Sequence, residues 1–295
     1  MRLSDQCHAV SAAPSTWERS VRDLLRQPDQ QQLVRDCYFD DPVEAAAARY
    51  ASSGEWNAIR CLLPASRGRA IDLGAGRGIT SYALAMEGWS VVAIEPDPGD
   101  HVGCGAIRRL ASFGDLPIEV RQEFGEDIGF PDSSFDLVFA RQAMHHARDL
   151  RRFCREAHRV LRPGGYFIAV RDHVLSAQSD LQTFLDAHPL HRYSGAENAH
   201  TLKTYLEALS TSGLTIETIL GPLDSVINYA PHTADSLREE LIARIGQVLP
   251  GASRPARVML SRPSVFRAVL SVVSRLDRRP GRLYSFKCMR PINGR

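Results

Sequence analysis

A chain of 295 residues has room for one large domain or two small ones. Its 44% hydrophobic and 24% charged residues exclude a disordered or membrane-filling chain. A net charge of +2 singles out no polyanionic partner, and six scattered cysteines without a C-x-x-C pair signal reduced thiols rather than a zinc knuckle or a disulfide framework.

The first twenty residues are polar, with no apolar core of a secretory leader, and no run of 18 apolar residues follows. The expectation is a cytoplasmic protein without a transmembrane segment. Residues 1–65 lack strand alternation and read as helical, best over 19–34 and 42–63, the latter opening with Asp41-Pro42 as N-cap and first-turn proline. Strands are expected at 69–74, 90–95, 117–122, 135–140 and 165–171, and helices at 78–88, 102–113 and 149–161. That alternation predicts an α/β fold, a parallel doubly wound sheet whose ligands bind outside the carboxyl ends of the strands. Residues 172–199 break the rhythm. A helix over 202–212, a strand over 215–220, a long excursion with two helices over 224–280 and an alternating strand over 282–289 complete the chain.

Two segments carry the chemistry. Ile71-Asp72-Leu73-Gly74-Ala75-Gly76-Arg77-Gly78 ends an apolar run in three alternating glycines, and Val91-Val92-Ala93-Ile94 ends in the lone carboxylate Glu95. Glycines at a strand–helix turn allow positive φ and close approach of a ligand. The helix that follows offers free N–H groups, and the carboxylate can accept from both hydroxyls of a ribose. Together they describe a nucleoside site. A dinucleotide fingerprint places its third glycine one residue later, so a nicotinamide dehydrogenase fits less well.

With Asp72 ahead of its glycines, the pattern resembles the class I S-adenosylmethionine (SAM) dependent methyltransferases of the type 11-like kind. Phe130-Pro131-Asp132-Ser133-Ser134-Phe135-Asp136-Leu137-Val138 is similar to that family's P-F-x-D-x-S-F-D-x-V segment, and Leu161-Arg162-Pro163-Gly164-Gly165 to its L-x-P-G-G turn. The resemblance covers about residues 69–172. It implies a Rossmann-like doubly wound seven-stranded sheet, order 3-2-1-4-5-7-6 with strand 7 antiparallel, N-terminal helices, and helical insertions after strands 5 and 6. On that plan residues 1–65 form a helical segment or lid, 66–223 the SAM-binding core, 224–281 a basic helical insertion, and 282–295 the closing strand and tail.

The implied cofactor is SAM, with S-adenosylhomocysteine as product. Gly74, Ala75, Gly76 and Gly78 would pack beneath its methionine and ribose, Asp72 would steady the loop or hold the ammonium through water, and Glu95 would take the ribose hydroxyls. Pro96 or Asp97 would flank the adenine, and Arg141 would face the cofactor. At the adenine end Phe124 and Gly125 stand where many relatives have an acid and a small residue, so Gly125 and Glu126 are the expected adenine contacts.

Methyl transfer needs chiefly alignment, and a base only where the acceptor must lose a proton. His145 and His146 after strand four and His173 after strand five are the catalytic candidates. His188, His191, Tyr193, Glu197 and Asn198 form a substrate lid. His188 and His191 with His173 and Glu197 could ligate a metal, but Pro189 between them breaks shared facing, and no metal is expected. Tyr50 lies across the site or packs as an aromatic. Residues 254–295 carry eleven basic residues against one acid, Asp277. An apolar stripe, Val265-Phe266, Val269-Leu270 and Val272-Val273, runs beside them. A packed helix with a solvated arginine face, contact with RNA phosphates and a membrane-surface helix are the readings, the RNA one weakened by sparse aromatics. The functional expectation is a SAM-dependent methyltransferase acting on a small-molecule O, C or N acceptor. The alternatives are an RNA methyltransferase using the basic C-terminal region and a non-catalytic SAM-binding regulator or partner protein. No acceptor motif is present, Ala140-Arg141-Gln142-Ala143 standing where amino-group methyltransferases carry N-P-P-[YF], and oligomeric state is not encoded legibly.

Overall fold

The computed structural model describes residues 16–188 and 197–292. Four N-terminal helices, α1 (Thr16–Leu25), α2 (Gln31–Asp36), α3 (Val43–Ala51) and α4 (Gly54–Arg60), precede the sheet. The sheet strands are β1 (Arg69–Leu73), β2 (Ser90–Ile94), β3 (Ile118–Arg121), β4 (Phe135–Arg141), β5 (Leu161–Leu175), the two-residue β6 (His200–Thr201), β7 (Thr215–Leu220) and β8 (Arg282–Met289). Their order is β3-β2-β1-β4-β5-β8-β7, with β6 paired to the end of β5 off this path. Strands β1 to β5 run parallel, and β8 is antiparallel to both β5 and β7. This is the expected topology with one short strand added.

Alternation within the strands builds two cores. Leu137 and Phe139 of β4 and Ile168 and Val170 of β5 face the side covered by α3, α4 and α5 (Ile79–Met86). Val138, Ala140, Phe167 and Ala169 face the side covered by α7 (Leu150–Val160) and α9 (Leu202–Thr211). A period of two with both faces apolar is the signature of a sheet buried on both sides. Helix α7 supplies Leu150, Phe153, Cys154, Ala157 and Val160, one stripe at helical spacing. Its N-cap Asp149 accepts from the Arg152 N–H at 2.9 Å. The remaining crossover helix, α6 (Cys104–Gly114), buries Ile107 and Leu110.

Strand β5 is longer than the expected 165–171 at both ends. The Leu161–Gly165 turn is drawn into it, with pairing to β4 shifting between Phe135 and Leu137. At the other end β8 pairs as far as Val174, with a second shift between Ala169 and Asp172. Arg171 sits in that second bulge at φ +63°, and a bulge re-aims the side chains that follow it. Here those are Asp172 and His173.

The stretch expected to be irregular holds α8 (Leu181–Ala187). The excursion expected to hold two helices holds four: α10 (Val226–Tyr229), α11 (Ala234–Val248), α12 (Ser253–Leu260) and α13 (Pro263–Leu276). The last three share a small core of Leu237, Ile242, Ala256, Leu260, Phe266 and Leu270. Phe266 and Leu270 point inward as the stripe implied, but Val272 is 56% exposed and lies off it. Several arginines of the basic stretch have partners: Arg257 bridges Glu239, Arg279 bridges Asp277, and Arg290 donates to the carbonyls of Arg159 in the last turn of α7 and Leu161 at the start of β5. Among the described residues no helix is long and apolar enough to cross a membrane.

Candidate active site

At the carboxyl ends of β1 and β2 the chain turns sharply. Gly74 and Ala75 donate their N–H groups to the Ile94 carbonyl at 2.9 and 3.1 Å, which folds the glycine loop over the end of β2. Gly74 and Gly76 have φ of +67° and +55°. A Cβ on Gly74 would lie 2.8 Å from that of Ala143, whereas one on Gly76 would meet nothing within 4 Å, so Gly76 borders open space. Glu95 lies against this loop: one oxygen accepts from Gly76 N–H at 2.8 Å and the other from Asp97 N–H at 2.9 Å. Burial pushes its carboxyl up to about 7, against the pull of those two donors. Asp72 is buried beneath the loop and accepts from the Ser81 hydroxyl at 2.6 Å. Its carboxyl is raised to about 6, again by burial. It ties β1 to α5.

A cavity of about 590 Å³ opens above this loop. Of the residues expected to bind a cofactor, Gly74, Ala75, Gly76, Glu95, Pro96, Gly125, Glu126 and Arg141 line it, while Asp72 and Gly78 lie behind the wall. Phe124 closes one end and is 43% exposed, with the Arg148 guanidinium 4.2 Å from its ring centroid. Gly125 is small because Phe153 fills the adjoining space, 2.4 Å from where a Cβ would stand. Glu126 turns one oxygen to the Arg148 and Asp149 N–H groups at 2.7 and 3.3 Å, anchoring the entry to α7. The polar adenine role expected of Glu126 therefore competes with a backbone-capping one.

Helices α1 and α2 roof the cavity with Trp17, Leu24 and Leu33, and the connection after α2 adds Tyr38 and Phe39. Arg77, inside the glycine loop, reaches into this roof. Its guanidinium donates to the carbonyls of Tyr38 and Asp40 at 2.9 and 3.0 Å and pairs with Asp41 at 2.5 Å. Tyr50 does not reach the cavity. It is fully buried between Tyr38 and Trp56. Arg141 lines the cavity but its charge is committed to Glu55 of α4, with contacts of 2.7 and 3.1 Å, and Arg171 stands 3.7 Å from the same carboxylate. Burial acts to raise the Glu55 carboxyl, but the two guanidinium groups prevail and hold it below its ordinary value. The cofactor-facing role expected of Arg141 is thus shared with a buried ion pair.

Opposite the glycine loop, imidazoles gather where β4 and β5 end. Because these strands are neighbours, His145 and His146, just beyond β4, meet His173 near the end of β5. Ring centroids are 4.2 Å apart for His145–His146, 4.8 Å for His145–His173 and 5.3 Å for His173–His188. His145 Nδ1 stands 2.9 Å from Asp172 Oδ1, which also accepts the His145 backbone N–H at 3.2 Å; with the carboxyl ionised, Nδ1 donates to it. His173 donates from Nδ1 to the Gly281 carbonyl at 2.8 Å. In both rings the Nε2 lone pair is therefore left available. Burial holds His145 well below the usual histidine range and His173 at about 3, so both are neutral at pH 7. Burial also pushes the Asp172 carboxyl up to about 8.

Glu197 completes the group. It is buried, with Oε2 at 3.8 Å from Nε2 of both His145 and His146 and Oε1 at 3.9 Å from His188 Nδ1, and burial raises it to about 7. Of the expected lid, His188 and Glu197 line the cavity. Asn198 folds back on its own chain, accepting from the Ala199 N–H at 2.8 Å. His191 and Tyr193 lie outside the described residues. Asp172, the Glu55–Arg141–Arg171 triplet and the Arg77 tether escape a reading by motif. Asp172 had a signal, its place between Arg171 and His173 at a strand end; Glu55 had none.

Residues 71–169 match the family described as a methyltransferase domain. Over those residues the chain is similar to a methyltransferase domain, in keeping with the glycine loop and Glu95. Among curated proteins the chain is 32% identical over 126 residues to the uncharacterized methyltransferase YcgJ of Bacillus subtilis, covering 40% of this chain and 46% of that one. It is 31% identical over 99 residues to a ubiquinone biosynthesis O-methyltransferase of a Methylobacterium species, covering 34% and 39%. The chain thus spans less than half the length of these curated relatives. Geranyl diphosphate methyltransferase, solved in complex with SAM, shares the fold at a TM-score of 0.55 and 17% identity, over 91% of this chain and 94% of that one.

Proposed function

We propose that this protein transfers the methyl group of SAM to a small-molecule acceptor held against the histidine cluster. One observation carries the reading: a single cavity joins the glycine loop and Glu95 at one side to His145, His146 and His173 at the other. A donor seated on the loop and an acceptor among the imidazoles would meet inside that cavity, in the alignment that in-line displacement at a sulfonium methyl requires. The acceptor's lone pair attacks the methyl carbon as the C–S bond breaks, and sulfur leaves as a neutral thioether. The volume lies in the range of small-molecule sites, and the roof of N-terminal helices favours a compact acceptor over a polymer. The neutral imidazoles of His145 and His173 suit an acceptor that must shed a proton, and the O-methyltransferase among the relatives points to a hydroxyl.

Calorimetric titration with SAM, then a screen of metabolite pools for S-adenosylhomocysteine release with mass-spectrometric location of the product, tests this. The expected result is SAM binding at one site and turnover with a small hydroxylated compound. Failure to bind SAM would sink the proposal, and turnover with bulk RNA in place of metabolites would replace the acceptor class.

A further inference from the structure

We propose that His145, His146 and Glu197 form a binding site for a divalent ion of the zinc class, set in the wall of the cavity. Glu197 is the telling residue. Its carboxylate is buried and lies 3.8 to 3.9 Å from three imidazole nitrogens, yet at those distances it is hydrogen-bonded to none of them. A buried carboxylate ringed by imidazoles just beyond bonding reach is costly as it stands and is well suited to a cation between the donors. One ligand atom from each of His145, His146 and Glu197 can be chosen so that all lie within 4.8 Å of one another. A zinc-class ion holds nitrogen and carboxylate donors at about 2.0–2.2 Å in a tetrahedral array, so any two stand about 3.4 Å apart. The two histidine–carboxylate distances, at 3.8 Å, are slightly wider than this, and side-chain rotation would draw the three donors onto an ion.

The surroundings fit the same use. With Asp172 ionised, His145 gives its Nδ1 hydrogen to that carboxylate, which fixes the tautomer and aims Nε2 at the other donors. A metal-bound histidine is commonly held by a carboxylate in this way. Two imidazoles and one carboxylate select a borderline first-row ion over magnesium or calcium, which prefer oxygen alone. Three protein donors leave a coordination position free, and all three border the cavity. If the methyltransferase reading holds, an acceptor hydroxyl bound at that position would release its proton to solvent, and its oxygen would form the O–C bond as the C–S bond breaks.

The test uses the full chain, stripped with chelator and desalted, titrated with Co²⁺ by visible absorption and then displaced with Zn²⁺. The expected result is one Co²⁺ per chain with d–d bands of a four- or five-coordinate site, and affinity lowered at least about tenfold in Glu197→Gln and His146→Ala. Asp172→Asn should weaken binding about 10–100-fold while leaving the stoichiometry unchanged. SAM titration of the same variants reports whether each is folded. A wild-type protein that binds SAM but shows no cobalt bands overturns the metal site and leaves the function standing. Cobalt bound without SAM does the reverse. Unchanged bands in both Glu197→Gln and His146→Ala also overturn the site.

Discussion

Glu95 accepts the backbone N–H of Gly76 at 2.8 Å, so the carboxylate at the end of β2 and the glycine loop at the end of β1 form one hydrogen-bonded unit. The residue expected to receive a ribose also shapes the loop on which the donor would rest. Removing it should harm both. Glu95→Ala is expected to raise the Kd for SAM by at least about tenfold, some 1.4 kcal/mol. Calorimetry measures it, and affinity equal to wild type would remove Glu95 from the site.

The same carboxyl predicts a pH dependence. It sits at about 7 in the free protein, against an ordinary 4.5. SAM binding should be strongest above that value and weaken below it, approaching about tenfold per pH unit. The sign for the free fold is opposite. Between 4.5 and 7 the folded carboxyl keeps a proton that the unfolded chain has lost, so Glu95 makes the unliganded protein less stable as pH rises through that window. SAM titrations across the range, with Glu95→Gln as the insensitive control, check the first part. A flat affinity from about pH 6 to about pH 8 would count against it.

Two glycines of the loop should respond differently to the same change. Gly76→Ala adds a methyl to open space and is expected to cost about 1–2 kcal/mol, chiefly for its left-handed φ. Gly74→Ala meets the Ala143 Cβ at 2.8 Å and bears the same backbone penalty, so it should cost at least about 1 kcal/mol more. Urea denaturation of the pair gives the comparison, and equal midpoints would refute the packing argument.

Glu55 and Arg141 form a buried pair, and breaking it from one side strands a charge. Arg141→Met is expected to destabilise by about 3–5 kcal/mol, with much of that recovered in the double variant Arg141→Met/Glu55→Leu. Denaturation of the four proteins as a double-mutant cycle measures the coupling.

Much of the sheet could be read from the chain because its signals are local. β1, β2 and most of β4 are short apolar runs, and the glycines at 74, 76 and 78 announce the turn above which the cavity opens. The histidine cluster was legible only as separate candidates. His145 and His173 stand 28 positions apart in the sequence and meet because β4 and β5 are neighbours and the Arg171 bulge redirects the residues after it. Glu55 and Arg77 were opaque for a different reason. Their partners lie on elements far away in sequence, Arg141 for the first and the carbonyls of Tyr38 and Asp40 for the second. Ionic contacts of that range leave no periodic trace.

The Arg77 tether has a kinetic consequence. The guanidinium that rises from the glycine loop clasps residues 38–41, which belong to the roof. Lifting the roof must therefore break contacts rooted in the floor, and floor and roof loosen together. The residence time of a bound nucleoside would then be set by how often this clasp opens. The dwell of the donor would then depend on a contact between floor and roof as well as on the donor's own contacts.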